Sequence, residues 1–248
     1  MSQTYLQLCN RVLRRFNEVQ LQSTTFTSAS GFQQQVQDAI NDALNDIYAA
    51  EINWPFLYQT TTFVTTAGQQ FYSLASNATQ IDWQSFLIQR DDTQSPPVIS
   101  NYIKFLDYYE WLQTRAGTEQ QMLADDWSPP LNVVRHVNNT QLILSPPPGP
   151  GINGSQLTNV IYHINYNNWI FPTDLVNATD TTVVPDRFKG VIIDGGMYYG
   201  YMFRDNPDEA AIAQSKFEKG IARMRTELIN RADYMRSDNI VQDTIGYV

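Results

Sequence analysis

The chain has 248 residues, enough for one large domain or two modest ones with a substantial core. Aromatic residues make up 12% of it and charged residues only 17%, so Asn, Gln, Ser and Thr must supply much of the polar surface, as suits burial against neighbouring subunits. The net charge of −9 excludes binding of nucleic acid by phosphate neutralisation, and the single cysteine, Cys9, excludes an internal disulfide.

Two amphipathic helices are predicted at the N-terminal end. The first covers residues 4–19, and its arginines favour an amphipathic helix over a signal peptide. The second covers residues 31–51, where apolar residues recur every three or four positions on one face. On its other face Asp38, Asp42 and Asp46, here called the acidic row, recur every four residues. The row is either a solvated face or a surface directed at a channel or a basic partner.

The hydrophobic period changes from 3.6 to 2 after Trp54-Pro55, which predicts a β-rich domain over residues 56–182. The strands are rich in Thr, Phe and Tyr, the residues favoured in sheets. In chain order, the predicted elements are two strands around a turn at Gly68, a strand at 85–92, a short helix at 107–115, a hairpin around Asn138-Asn139 and a strand at 157–166.

Two further helices are predicted after this β-rich domain. The first begins near Pro185 and carries three glycines within two turns. Glycine costs about 1 kcal/mol relative to alanine inside a helix, so this set indicates close backbone contact with another helix, in the same bundle or in a neighbouring subunit. The second has Asn206 as its N-cap and Pro207 at its first position, and it extends for about 28 residues.

The order of these elements predicts an α+β fold. Residues 1–55 and 183–236 form a helical bundle built from both ends of the chain, because each terminal helix has one apolar face to bury. The β-rich domain is inserted between them, and residues 237–248 form a C-terminal extension.

No set of residues indicates catalysis, so we expect neither an enzyme nor a bound cofactor or metal. His136 and His163 lie on predicted strands and have no helical histidine partner or cysteine pair. The adjacent carboxylates at 91–92 and 125–126 point to opposite faces of a strand or lie in turns, which does not suit an acid/base pair. A hydrolase is therefore the least supported class of function.

Aromatic residues of the β-rich domain suggest a different class of function. Such residues can stack on sugar rings or fill a protein interface, although ordinary core packing accounts for most of them. The corresponding alternative is a carbohydrate- or protein-binding module that uses Trp83, Tyr102, Trp111, Trp127 and Trp169.

Four segments of the chain have a familiar order and composition, although none of them is a strict motif. They are FQQQVQDAINDALNDIYAAEINWPFLY, GQQFYSL, TQLILSPPPG and VPDRFKGVIIDGGMYYGYMFRDNPDEAAIAQSKFEKGIARM. Together they resemble the head–tail adaptor proteins of short-tailed bacteriophages, of the tail tubular protein A type.

The resemblance implies a structural protein of the virion, made in the host cytoplasm and located at the head–tail junction. Such adaptors form a ring, typically of twelve copies, between the portal protein and the tail nozzle protein, with the helical bundle around the DNA channel. The ring would pass double-stranded DNA without specific binding and would contact no membrane. The family has no catalytic residues.

Two sets of site residues follow from this resemblance. The acidic row is assigned to the channel, where carboxylates let DNA slide because they neutralise no phosphate. The C-terminal segment of such adaptors reaches the portal, and we assign portal binding to Arg231, Tyr234, Arg236, Ile240, Tyr247 and Val248.

Overall fold

The computed structural model describes residues 3–90, 99–121, 129–149, 151–153, 156–158 and 162–229. The helices are α1 (Tyr5–Arg15), α2 (Phe32–Ala50), α3 (Tyr108–Thr114), α4 (Ala116–Glu119), α5 (Lys189–Phe203) and α6 (Pro207–Leu228). The strands are β1 (Tyr58–Val64), β2 (Phe71–Ser73), β3 (Ala78–Ile81), β4 (Leu87–Arg90), β5 (Ile99–Tyr102), β6 (Lys104–Leu106), β7 (Asn132–Arg135), β8 (Gln141–Ser145), β9 (Gly151–Asn153), β10 (Gln156–Thr158) and β11 (Tyr162–Ile170).

The chain has an α+β fold with two compact units, which confirms the predicted class. The helical unit combines Met1–Leu57 with Phe171–Val248, and the β unit is the inserted segment Tyr58–Ile170. The connector at 171–182, predicted as part of the β-rich domain, belongs to the helical unit. Asn41 of α2 explains this, since its side-chain amide donates to the Leu175 carbonyl and accepts from the Leu175 N–H, both over 3.1 Å.

Helix α2 supplies one side of the helical core. Its predicted apolar face is buried throughout, because residues spaced three and four apart align on one side of a helix. The buried residues are Val36, Ala39, Ile40, Ala43, Leu44, Ile47 and Tyr48. Trp54 closes the end of this face and donates from its indole N–H to the Ile47 carbonyl over 2.7 Å.

Helix α1 is shorter than predicted. It begins with a capping box between Thr4 and Gln7 and ends at Arg15, after which Asn17 adopts a left-handed backbone with φ of 58°. The chain then turns back, and the Asn10 side chain accepts from the Leu21 N–H over 2.7 Å. The predicted extent of this helix to residue 19 was therefore wrong, and Val19 is 77% exposed.

Helix α5 lies between α2 and α6, and its glycines make close packing possible. A Cβ added to Gly195 would lie 2.6 Å from the Cβ of Ala43 and 2.8 Å from Cε2 of Phe217. A Cβ on Gly200 would lie 2.7 Å from the ring of Phe16. These partners belong to α2, α6 and the end of α1, so the predicted close helix contacts occur within the bundle of a single chain.

Helix α6 begins as predicted. The Asn206 side chain accepts from the Glu209 N–H over 3.4 Å, and Pro207 occupies the first turn. The helix buries only a narrow stripe, at Ala210, Ala213, Phe217 and Met224. Its predicted continuation to residue 236 lies outside the described residues.

The β unit contains two larger sheets. Sheet I has the strand order β1-β11-β4-β5, with β3 also paired to β11, and sheet II has the order β2-β8-β7-β6. The two strands predicted around Gly68 both form, but they pair in different sheets: β1 with β11 and β2 with β8. The predicted hairpin is confirmed in β7 and β8, whose turn places Asn139 at a φ of 57°.

Sheet II is covered on both faces. One face packs against sheet I through a core that includes Val133 and Leu144, together with Ile164 and Tyr166 of β11. The other face packs against α3 and α4. Burial on both sides explains why β7 and β8 carry continuous apolar runs instead of alternating ones.

A buried carboxylate, Glu119, holds the short helices against sheet II. One of its oxygens accepts from the Trp111 indole N–H over 2.9 Å and from the Gln70 amide over 2.6 Å. The other accepts from the Ser145 hydroxyl over 2.5 Å. Three donors from α3, the β1–β2 connection and β8 therefore meet on one side chain.

Candidate functional site

The acidic row lies on the exposed side of α2. Asp38, Asp42 and Asp46 are all exposed, because the opposite side of the helix is buried against the bundle. Asp46 has a defined partner, since its Oδ2 accepts from the Tyr199 hydroxyl of α5 over 2.6 Å. The row is thus attached to α5 at one end.

A fourth carboxylate, Asp174, joins the row. Asn45 of α2 donates from its side-chain amide to Asp174 Oδ1 over 3.0 Å, which holds the 171–182 connector beside the helix. Four acidic side chains therefore share one surface of the helical unit. In the part of the chain that the structure describes, no lysine or arginine forms an ion pair with any of them.

Two groups at this surface have raised pKa values. Partial desolvation by neighbouring atoms raises the pKa of Asp42, although the residue is exposed, and the charges of Asp38, Asp46 and Asp174 raise it further. The pKa of Tyr199 is also raised, by burial and then by its hydrogen bond to Asp46. Both shifts have the sign expected where negative charges repel each other. This surface would attract a cationic partner and repel a phosphate backbone.

The sequence indicated only part of this surface. The acidic row could be predicted because residues four apart share a helical face. Asp174 and Tyr199 were missed, since one lies in a polar connector and the other in a helix far along the chain. No local pattern distinguishes them, and only the packing of α5 and the connector on α2 brings them to the row.

The residues assigned to portal binding lie outside the described residues. They are Arg231, Tyr234, Arg236, Ile240, Tyr247 and Val248. Their assignment stays a prediction. The described part of α6 ends at Leu228 and leads directly into this segment.

The aromatic residues considered for ligand binding are spread over separate clusters. Trp111 is buried against sheet II with Glu119, and Trp83 stacks on Phe86 with ring centroids 5.7 Å apart. Trp169 packs against Tyr58 at 4.6 Å, whereas Tyr102 is 75% exposed. Trp127 lies outside the described residues. Three of the five therefore have partners in the packing of the β unit.

The two histidines lie on or beside strands of the β unit. His136 accepts from the Asn138 N–H over 3.2 Å at the hairpin turn, and His163 is on β11. Among the described residues, no group of three or more His, Cys, Asp or Glu side chains has an arrangement that could hold a metal ion. The carboxylate pairs at 91–92 and 125–126 lie outside the described residues.

Over the described ranges, no helix combines the length and the apolar character needed to cross a membrane.

Comparison with known proteins identifies the chain through one family. No curated protein matches the sequence. The model of the SU10 adaptor protein family matches residues 3–241, which includes both units and nearly the whole chain. A phage adaptor is a structural component of the virion that interacts with other head or tail proteins, as the resemblance of the four segments implied. The protein belongs to the SU10 adaptor protein family.

Proposed function

We propose that this adaptor forms a ring that connects the portal to the tail and surrounds the DNA channel. The family match carries the proposal, because it makes the chain a phage adaptor over residues 3–241. In this proposal the ring has twelve copies and lies at the head–tail junction. Its partners are the portal protein and the tail nozzle protein.

The helical unit is the part we assign to the channel. Four carboxylates share one exposed surface, and none of them is neutralised by a described lysine or arginine. A basic lumen would bind DNA with the release of counterions, whereas an acidic one gives no such binding energy. In the proposed ring, the acidic row faces the channel and lets double-stranded DNA pass.

The C-terminal segment is the part we assign to the portal. It follows α6 in the sequence and carries the arginines at 231 and 236. Arginine forms planar, bidentate contacts with carboxylates, so this segment suits an acidic or polar surface on the portal.

Assembly with purified portal tests the proposal. Electron microscopy of the mixture should show rings of one defined copy number, seated coaxially on the portal. A chain lacking residues 233–248 should keep its thermal unfolding transition and lose docking. The full-length double variant Arg231→Ala and Arg236→Ala is compared with this truncated chain. It should dock more weakly than the natural chain. Normal docking of the truncated chain would contradict the tail assignment, and absence of any ring on the portal would contradict the proposed function.

A further inference from the structure

Strand β1 is an edge strand of sheet I in the described part of the chain, where its only partner strand is β11. Its sequence, YQTTTFV, contains no charged residue and no proline, and its register with β11 continues through seven pairs without a bulge. Proteins usually protect edge strands with charges, prolines or bulges, because the unpaired N–H and C=O groups favour pairing with another chain. β1 has none of these features.

The hydrogen-bond pattern shows which backbone groups point outward. Thr65 directly follows β1, and it donates its N–H over 2.9 Å to the carbonyl of Tyr162, the next residue in register. Because the backbone groups of an antiparallel strand alternate in direction, every second residue counted back from Thr65 along β1 bonds to β11. The pair of Thr60 and Asn167 confirms the alternation, since the Asn167 carbonyl accepts from the Asp82 N–H over 3.0 Å, away from β1. The residues whose N–H and C=O groups face the open edge are Tyr58, Thr60, Thr62 and Val64.

The same four residues have exposed side chains. Tyr58 is 39% exposed and Val64 is 50% exposed, and both threonines are exposed as well. Thr60 donates to Asn167 Oδ1 over 2.8 Å, and Thr62 donates to Asn165 Oδ1 over 2.7 Å. These bonds fix the threonines on the outer face of sheet I. The edge is therefore extended and ordered before any partner arrives.

We propose that β1 pairs antiparallel with β1 of a second copy of this chain, about a two-fold axis at Thr61. In this register Thr60 lies opposite Thr62, and Tyr58 lies opposite Val64. Threonine pairs and pairs of an aromatic with a β-branched residue are both favourable across strands, and no like charges meet. The outward backbone groups of one copy also face those of the other, so that each of these pairs exchanges two hydrogen bonds. This self-complementarity is the property that an isologous interface requires, and it favours a second copy over an unrelated strand.

The two-fold contact is separate from the contacts of the proposed ring. A cyclic ring is built from heterologous contacts, in which different surfaces of neighbouring copies meet. The pairing of β1 strands therefore describes the free protein. Variants of β1 should still form rings on the portal, and failure of one proposal would leave the other intact.

The association of the full-length protein is the first test. Sedimentation equilibrium should show a dimer, and Thr60→Lys with Thr62→Lys should raise its dissociation constant about tenfold or more, because lysines then face each other across the axis. Thr62→Pro should do the same, since it removes an outward N–H and leaves the pairing with β11 intact. Ser73→Lys, on the exposed side of strand β2, is the matched control and should leave the dimer unchanged. Circular dichroism should show the same fold in all variants.

Disulfide cross-linking is the second test, and it reports the register. Hydrogen-bonded antiparallel pairs have Cα atoms about 5.5 Å apart, within the range that a disulfide spans. A mixture of the Thr60→Cys and Thr62→Cys proteins should cross-link efficiently. Each protein alone should cross-link weakly. The introduced cysteines of its two copies are then diagonal neighbours across the strands, about 7–8 Å apart. The natural Cys9 is fully buried and should not react.

Three results would overturn the inference. The first is a monomer at all accessible concentrations, with the edge either free or taken by an extended segment of another protein. The second is a dimer that responds to Ser73→Lys as strongly as to the β1 variants. The third is cross-linking of either single-cysteine protein as efficient as that of the mixture.

Discussion

Gly195 of α5 lies so close to Ala43 of α2 that a Cβ added to the glycine would be 2.6 Å from the Cβ of the alanine. The Ala43 Cβ is fixed to its backbone and cannot rotate away. The distance between the two helices therefore depends on the missing side chain at Gly195. The same helix pair brings Tyr199 to Asp46 over 2.6 Å, so the close approach also positions one end of the acidic row.

Gly195→Ala should reduce the free energy of unfolding. The added methyl group must displace α2 or Phe217, and overpacking of this kind costs about 1–3 kcal/mol, which exceeds the gain in helix propensity of up to about 1 kcal/mol. Chemical denaturation measures the difference. Gly190→Ala is the matched control, because nothing lies within 4 Å of an added Cβ there, and it should cause no loss of stability. Equal destabilisation by both substitutions would contradict the packing argument.

Asp42→Asn should stabilise the protein at pH 7. The pKa of Asp42 is raised in the folded state, so deprotonation of this group lowers stability as the pH rises through that pKa. Removing the charge relieves two like-charge pairs at i,i+4, together about 0.4–1 kcal/mol. The difference from the natural chain should disappear once the pH falls below about 4, the ordinary carboxyl pKa, because Asp42 is then protonated in both the folded and the unfolded state. Thermal unfolding across this pH range measures it.

Asp38→Asn provides the comparison for that experiment. It relieves only the pair with Asp42, so its effect at pH 7 should be about half as large. If Asp42→Asn were no more stabilising than Asp38→Asn, the mutual repulsion within the row would be refuted.

Replacing the acidic row by lysines should hinder genome ejection. Phage particles that carry Asp38→Lys, Asp42→Lys and Asp46→Lys together should assemble, but their DNA should leave more slowly, since the lysines would bind phosphates in the proposed channel. The rate of DNA release and the infectivity of the particles measure the effect. The corresponding triple asparagine variant removes charge without adding it and should eject DNA nearly normally. Normal ejection by the lysine variant would indicate that the acidic row is a solvated face and does not line the channel.

Glu119→Ala should strongly destabilise the β unit. It would leave the donors of Trp111, Gln70 and Ser145 without an acceptor, and each unsatisfied buried donor, here those of Trp111 and Ser145, costs about 1–3 kcal/mol. Glu119→Gln keeps one acceptor oxygen for Trp111 and Gln70, while its amide can donate to the Ser145 hydroxyl, so it should cost much less. Denaturation followed by near-ultraviolet circular dichroism compares the two. Similar losses in both variants would contradict the importance of the network.

The helices and the acidic row could be predicted because their signals are local. A period of 3.6 residues identifies the buried face of α2, and a spacing of four places Asp38, Asp42 and Asp46 together on the other face. The N-cap at Asn206 and the hairpin turn at Asn139 are equally local, since each depends on the backbone preferences of a few residues. The end of α1 was less predictable, because the bond between Asn10 and Leu21 competes with the continuing apolar pattern.

Tertiary packing determined the features that depend on residues distant in sequence. β1 pairs with β11, about a hundred positions later, although β2 is its neighbour in the chain, because strand alternation does not specify a partner. Among the described residues, the same long-range pairing leaves β1 with a partner strand on one side only. Asp174 and Tyr199 reach the acidic row only because the connector and α5 pack on α2. The local sequence determines which face of a helix or strand is apolar. Which two faces pack together depends on how the whole chain buries its apolar surface.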